Sequence, residues 1–210
     1  MQSGLYIVGT PIGNMGDFSP RAVEVLRGVD LIAAEDTRVF GKLASHFDIK
    51  TKRISCHEHN ERDVIPDLIE KLRGGMSIAA VSDAGMPGIS DPGFRLVRAA
   101  RAENIPVFVV PGPVAAISAL VLSGFPTDRF TFCGFFDPKK LHDDNRIRHT
   151  IIYYESPNRI MDTIADLARV MPERQIAIVR EITKIHEQAI IGYAADLMHI
   201  EPPRGEIVIV

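Results

Sequence analysis

Strand patterns at residues 5–8, 31–34, 53–55, 78–81 and 107–110 alternate with amphipathic stretches at 20–27, 37–46, 61–73 and 92–103. This βα alternation constrains the first half of the chain more than any other feature. Strands separated by helix-length crossovers pair in parallel, with right-handed connections and helices on both faces of the sheet. A ligand then belongs outside the carboxyl ends of the strands. Local chemistry agrees with the boundaries: Ser19 followed by Pro20 reads as an N-cap with proline at the first helical position, and Pro66 is expected to kink the third helix or delay its start.

Pro111-Gly112-Pro113 fixes an extended turn, and the domain boundary is placed there, giving domains 1–113 and 114–210. The second half differs in texture. After an apolar helix at 114–122 come strand patterns at 129–133, 150–154, 175–179, 187–191 and 206–210, with helices only at 158–170 and 194–199. Several of these strands must therefore be antiparallel neighbours. The expectation is a two-domain α/β protein, with an N-terminal mostly parallel sheet and a C-terminal mixed-sheet domain.

Composition limits the partners. A net charge of −3 over 210 residues gives no general pull toward nucleic acid or membrane, so any nucleic-acid contact has to come from a local basic cluster. Lys139, Lys140, Arg146, Arg148 and His149, with Arg159 beyond, form the one such stretch, and Gly134-Phe135-Phe136 lies just before it. Cys56 and Cys133 are too few for a disulfide framework, no apolar run reaches spanning length and no signal peptide is visible, which points to the cytoplasm.

The strand ends carry the chemistry. Val81-Ser-Asp-Ala-Gly-Met-Pro-Gly-Ile-Ser-Asp-Pro-Gly93 packs three glycines, two prolines and the carboxylates Asp83 and Asp91 behind a buried strand, with Asp91 also a candidate N-cap for a helix opening at Pro92. Gly9-Thr10-Pro11-Ile12-Gly13-Asn14 follows the first strand but lacks both the Walker lysine and the G-x-G-x-x-G spacing, which disfavours nucleotide phosphates. Glu35-Asp36-Thr37-Arg38 follows the second strand, where a carboxylate pair beside an arginine can orient a hydroxyl or act as a base. In His57-Glu58-His59-Asn60-Glu61 a third metal ligand at convincing spacing is missing, so Asn60 is read as a helix cap with His57 or Glu58 at the site rim, and no metal is assigned. In the second half, Tyr154-Glu155-Ser156-Pro157 and Arg180-Glu181-Ile182-Thr183-Lys184 again sit at strand ends.

Assembled, these segments resemble the S-adenosylmethionine-dependent 2′-O-ribose methyltransferases of small-subunit (16S) ribosomal RNA, a branch of the tetrapyrrole (corrin/porphyrin) methylase superfamily. The signatures run in order from residue 5 to 184: 5–14, 34–38, 57–61, 81–85, 89–93, 110–113, 125–130, 154–157 and 180–184. The resemblance implies a homodimer of two α/β domains with S-adenosyl-L-methionine in the cleft between them, and a cytidine ribose in the decoding region of the small ribosomal subunit as acceptor. By the same resemblance the donor would meet Pro11, Ile12 and Gly13, then Asp83, Ala84, Gly85 and Met86, then Ala115 and Ala116, and finally Tyr154 and Glu155. Met86 departs from the threonine usual in this branch, the 138–149 segment is shorter than usual, and family members often continue beyond the final strand into a small helical extension.

Transfer of a sulfonium methyl group to a 2′-hydroxyl needs positioning and one base. Asp36, Glu155, or a Lys184 whose pKa is lowered by burial, are the candidates from sequence. Two other classes remain open on sequence alone, a small-molecule methyltransferase of the tetrapyrrole type and a non-catalytic ribosome-binding module.

Overall fold

The computed structural model describes residues 1–210 and divides into two compact units, Met1–Val114 and Ala115–Val210. The first unit holds β1 (Gly4–Val8), α1 (Pro20–Gly28), β2 (Leu31–Ala34), α2 (Thr37–His46), β3 (Arg53–Ser55), α3 (Glu61–Arg73), β4 (Ser77–Val81), α4 (Phe94–Ala102) and β5 (Val107–Val110). All five strands are parallel, in the order β3-β2-β4-β1-β5.

Side chains alternate across this sheet with period two. Tyr6, Val8, Ile32, Ala34, Ala79 and Val81 pack with Val25 and Leu26 of α1 and Phe40 and Leu43 of α2. Leu5, Ile7, Leu31, Ala33, Ile78 and Ala80 pack on the other face with Leu68, Ile69 and Leu72 of α3 and Leu96 and Ala100 of α4. The chain therefore leaves β1 and β2 toward one face and leaves β3 and β4 toward the other. Strand β4 sits between β2 and β1, so it is flanked by two switch points, where loops from neighbouring strands diverge and open crevices at the carboxyl edge.

Sequence chemistry explains most of the helix starts. Ser19 accepts from Ala22 N at 3.1 Å with Pro20 at the first helical position. Replacing Ser19 by alanine should lower stability by about 1 kcal/mol in urea unfolding, without changing the unfolding slope. Helix α3 runs from Glu61 straight through Pro66, whose missing N–H falls in the second turn. Asn60 stands at the cap position but its side chain makes no cap bond; Oδ1 accepts from His57 N at 2.8 Å and Nδ2 donates to Ser55 O at 3.2 Å, which pins the loop after β3. Helix α4 starts at Phe94, not Pro92, and Asp91 is not its cap: Gly88 (φ 86°), Ser90 (φ 61°) and Gly93 (φ 131°) are all left-handed and cannot be helical.

The second unit opens with α5 (Ala115–Ser123) and contains β6 (Phe130–Phe135), α6 (Leu141–Asp144), β7 (Thr150–Glu155), α7 (Ile160–Val170), β8 (Gln175–Arg180), β9 (Gln188–Tyr193), α8 (Ala194–Leu197) and β10 (Ile207–Ile209). Its sheet is mixed, in the order β6-β7-β10-β8-β9, with β6 and β7 parallel and the other three pairs antiparallel. Ile151, Tyr153, Ile176, Ile178, Ile207 and Ile209 face α7 and α8, while α5 covers the opposite face. The single turn α6 is absent from the sequence expectation because it lies in the basic stretch, where Leu141 alone is buried. No helix is long and apolar enough to cross a membrane.

Candidate active site at the carboxyl end of the parallel sheet

On the β1 side of β4 the two glycine loops are joined backbone to backbone. Thr10 N donates to Gly85 O at 2.9 Å and Gly85 N to Thr10 O at 3.1 Å, while the buried Thr10 hydroxyl donates to Ser82 O at 3.2 Å. Gly85 takes φ 83°, and a Cβ there would lie 3.3 Å from both Ile12 Cγ2 and Pro113 O. Gly9 admits the Pro111-Gly112-Pro113 turn, since its Cβ would stand 2.6 Å from Gly112 Cα. Pro11, Ile12, Gly13, Gly85 and Met86 are thus gathered at one strand end, with Asp83 and Ala84 exposed beside them. The Met86 thioether accepts from Gly112 N at 3.2 Å, which ties the 83–86 loop to the Pro111-Gly112-Pro113 turn.

On the β2 side the loops are held apart by side chains, which leaves an open pocket of about 380 Å³ lined by Glu35, Asp36, Thr37, Arg38, Ser55, His57 and Asp83. A reciprocal latch joins β2 to β4: Asp83 N donates to Glu35 Oε2 at 3.1 Å and Asp36 N donates to Asp83 Oδ1 at 3.0 Å. From β3, Ser55 Oγ donates to Glu35 O at 3.2 Å, and His57 brings an imidazole whose Nδ1 is buried without a partner.

The carboxylates here do not behave alike. Asp36 caps α2, accepting from Arg38 N at 2.7 Å and gripping the Arg38 guanidinium at 2.7 Å. That guanidinium holds its pKa far below the ordinary value, so Asp36 is a weak proton acceptor. Burial pushes Glu35 up, against the opposing hydrogen bond from Asp83 N, and burial also raises Asp83. Asp91 is pushed up to about 6 by burial and then by repulsion from Glu35 and Asp83. Asp91 is thereby brought toward neutrality, and Glu35 is a better proton acceptor than Asp36.

In the second unit Glu155 is buried with both oxygens engaged. Oε1 accepts from Ser156 N at 2.6 Å and from Arg159 Nε at 3.0 Å, and Oε2 from Thr163 Oγ1 at 2.5 Å. Lys184 is bound to Glu181 Oε1 and Glu206 Oε2, each at 2.9 Å. Burial opposes its charge, but the two carboxylate hydrogen bonds outweigh it and raise the pKa, the reverse of what a neutral lysine base needs. Tyr154 packs edge-on against Phe132 at 4.8 Å, and Ala115 and Ala116 open α5. The sequence contained a signal for Glu35: when Asp36 is consumed as the cap, the acidic residue before it is left at the strand end.

The sequence model of the Tetrapyrrole (Corrin/Porphyrin) Methylases matches residues 4–198. The chain belongs to this methylase family. The methylase is 51% identical over 191 residues to the ribosomal RNA small subunit methyltransferase I of Synechocystis sp., covering 88% of this chain and 68% of that one. It is 46% identical over 201 residues to the protein of that name from Halalkalibacterium halodurans, covering 93% and 70%, and 48% identical over 190 residues to that of Vibrio cholerae, covering 87% and 66%. The fold is shared with a uroporphyrin-III C-methyltransferase from Thermus thermophilus, solved with S-adenyl homocysteine (TM-score 0.66, 18% identity, 98% of this chain and 96% of that one). A diphthine synthase shares it too (TM-score 0.73, 12% identity, 98% and 88%).

Proposed function

We propose that this methylase transfers the methyl group of S-adenosyl-L-methionine to the ribose 2′-hydroxyl of a cytidine in the decoding region of 16S ribosomal RNA. It would act in the cytoplasm, as a homodimer, on the small ribosomal subunit. The observation that carries the reading is the 51% identity, over 88% of the chain, to a protein named as a ribosomal RNA small subunit methyltransferase.

The loops around β4 fit the donor. Gly85 lets the 10–13 and 83–86 loops close on each other, Asp83 and Ala84 beside it are exposed, and the Asp83 carboxylate suits a ligand that carries positive charge. Pro11, Ile12, Gly13, Asp83, Ala84, Gly85 and Met86 would hold it. Bound there, the donor supplies a methyl group already activated by a positive sulfur. The chain has to orient it, exclude water and receive one proton from the acceptor. For the RNA, Lys139, Lys140 and Arg148 are exposed around α6, whereas Arg146 is paired with Asp143 and Arg159 with Glu155. Exposed Phe94 and Val109 give the first unit apolar surface that a second copy would cover.

The test is methyl transfer from labelled donor to small subunits from a strain lacking the modification, followed by mapping of the nucleotide. One methyl group per subunit on a cytidine 2′-oxygen is the expected result. Label on a base, or no label on any ribosomal particle, would overturn the reading.

A further inference from the structure

The candidate bases from sequence are all engaged: Asp36 accepts from Arg38, Glu155 accepts from Ser156, Arg159 and Thr163, and Lys184 donates as an ammonium to two carboxylates. Yet the pocket beside β4 contains a carboxylate held on one side only. Glu35 accepts from the Asp83 backbone N–H through Oε2, makes no hydrogen bond through Oε1, and lines the pocket. We propose that Glu35 is the proton acceptor for the ribose hydroxyl, and that the pocket it shares with Arg38, Ser55, His57 and Asp83 receives the acceptor nucleotide. The inference rests on the methyltransferase reading given above.

Three features of the geometry support it. First, the latch between Glu35 and Asp83 makes the residue after β2 a direct neighbour of the loop assigned to the donor, so a hydroxyl bound at Oε1 would lie beside the methyl group. Second, the pocket has the polar groups a nucleotide needs: a carboxylate for a hydroxyl, and the outward-facing Arg38 guanidinium, 89% exposed, for a phosphate. Third, His57 lines the same pocket, and its Nδ1 is a buried polar atom with no partner in the chain, an arrangement usually costly outside functional sites.

In the step itself the O2′–H bond breaks, its proton passes to Glu35 Oε1, and O2′ forms the new bond to the methyl carbon. The carbon–sulfur bond breaks with its electron pair left on sulfur, which becomes a neutral thioether. Glu35 later returns the proton to water. The groups that set its proton affinity are Asp36 from the start of α2, His57 from the loop after β3 and Asp83 from the loop after β4, while Arg38 neutralises Asp36, and Asp91, from the loop before α4, is itself raised by Glu35. A base has to be ionised to act, so the rate should rise with pH through the Glu35 pKa and level off above it. Burial, with the carboxylates of Asp83 and Asp36, places that limb above the ordinary glutamate range.

Glu35→Gln separates the roles cleanly, because a glutamine oxygen still accepts from Asp83 N while the side chain loses its basicity. With the full chain, small subunits lacking the modification and labelled donor, Glu35→Gln should keep S-adenosylhomocysteine affinity within about twofold while single-turnover transfer at saturating subunits falls on the order of 1000-fold. The acid limb should vanish in this variant. Glu35→Asp, which retains a carboxylate one methylene back, should recover at least tenfold over Glu35→Gln with the limb present. A Glu35→Gln rate within threefold of wild type, a limb that survives in Glu35→Gln, or a rate loss matched by an equal loss of donor affinity overturns the inference and leaves the methyltransferase reading standing. No transfer by the wild-type chain overturns both.

Discussion

Glu155→Ala is expected to destabilise the second unit by about 3 kcal/mol. The side chain is 1% exposed and serves three donors from the start of α7. Helix α7 has no conventional cap, since Arg159 at that position makes no side-chain cap bond. The Glu155 carboxylate does that work from the end of β7, placing negative charge at the positive end of the helix and accepting from the Ser156 N–H. Alanine would strand that N–H and the buried Thr163 hydroxyl. Arg159 can still reach water, because its side chain is 54% exposed, which keeps the cost at the lower end for a broken buried pair. Urea unfolding checks the value through a fall in the midpoint at unchanged slope. A loss below about 1 kcal/mol would mean that the carboxylate is not structural, and would return it to the list of candidate bases.

Glu155 shows where a motif read from sequence stops short. Tyr154-Glu155-Ser156-Pro157 at a strand end was correctly placed, but strand-end position does not reveal whether lone pairs are free. That depends on Thr163, eight residues downstream on α7, and on the rotamer that brings it back. The parallel sheet was legible because burial on both faces writes short continuous apolar runs between helix-length amphipathic stretches, and Ser19-Pro20 marks its helix in a local code. The start of α4 was not legible in the same way. Asp91-Pro92 carries a good capping signal, yet left-handed backbone at three residues within six positions, Gly88, Ser90 and Gly93, folds the loop back, with Gly88 N bonded to Pro92 O at 3.1 Å. That reversal keeps Asp91 near Glu35 and Asp83 instead of spending it on a helix end. Likewise the sequence displayed Glu35 and Asp36 as a pair, and only the capping geometry divides them into one residue committed to structure and one with an oxygen to spare.

Gly85→Val should cut affinity for S-adenosylhomocysteine on the order of 100-fold, about 2.7 kcal/mol, beyond any effect on folding. Two penalties act at this position. The left-handed φ of 83° costs a side-chain-bearing residue about 1–2 kcal/mol, and more when the side chain is β-branched. In addition, the new Cβ would stand 3.3 Å from Ile12 Cγ2 and from Pro113 O, before its two methyl groups are counted. Relief of that crowding has to move the 10–13 loop away from the 83–86 loop and break the paired Thr10 and Gly85 backbone bonds, which spreads the cradle assigned to the donor. Gly75 supplies the control: its φ is 92°, but nothing lies within 4 Å of its Cβ position, and it sits in the turn after α3 at the opposite edge of the sheet. Gly75→Val should therefore show the strain alone, a loss of stability with donor affinity unchanged. If calorimetric titration finds the two valine variants equally able to bind S-adenosylhomocysteine, the loops joined by Thr10 and Gly85 do not form the donor site.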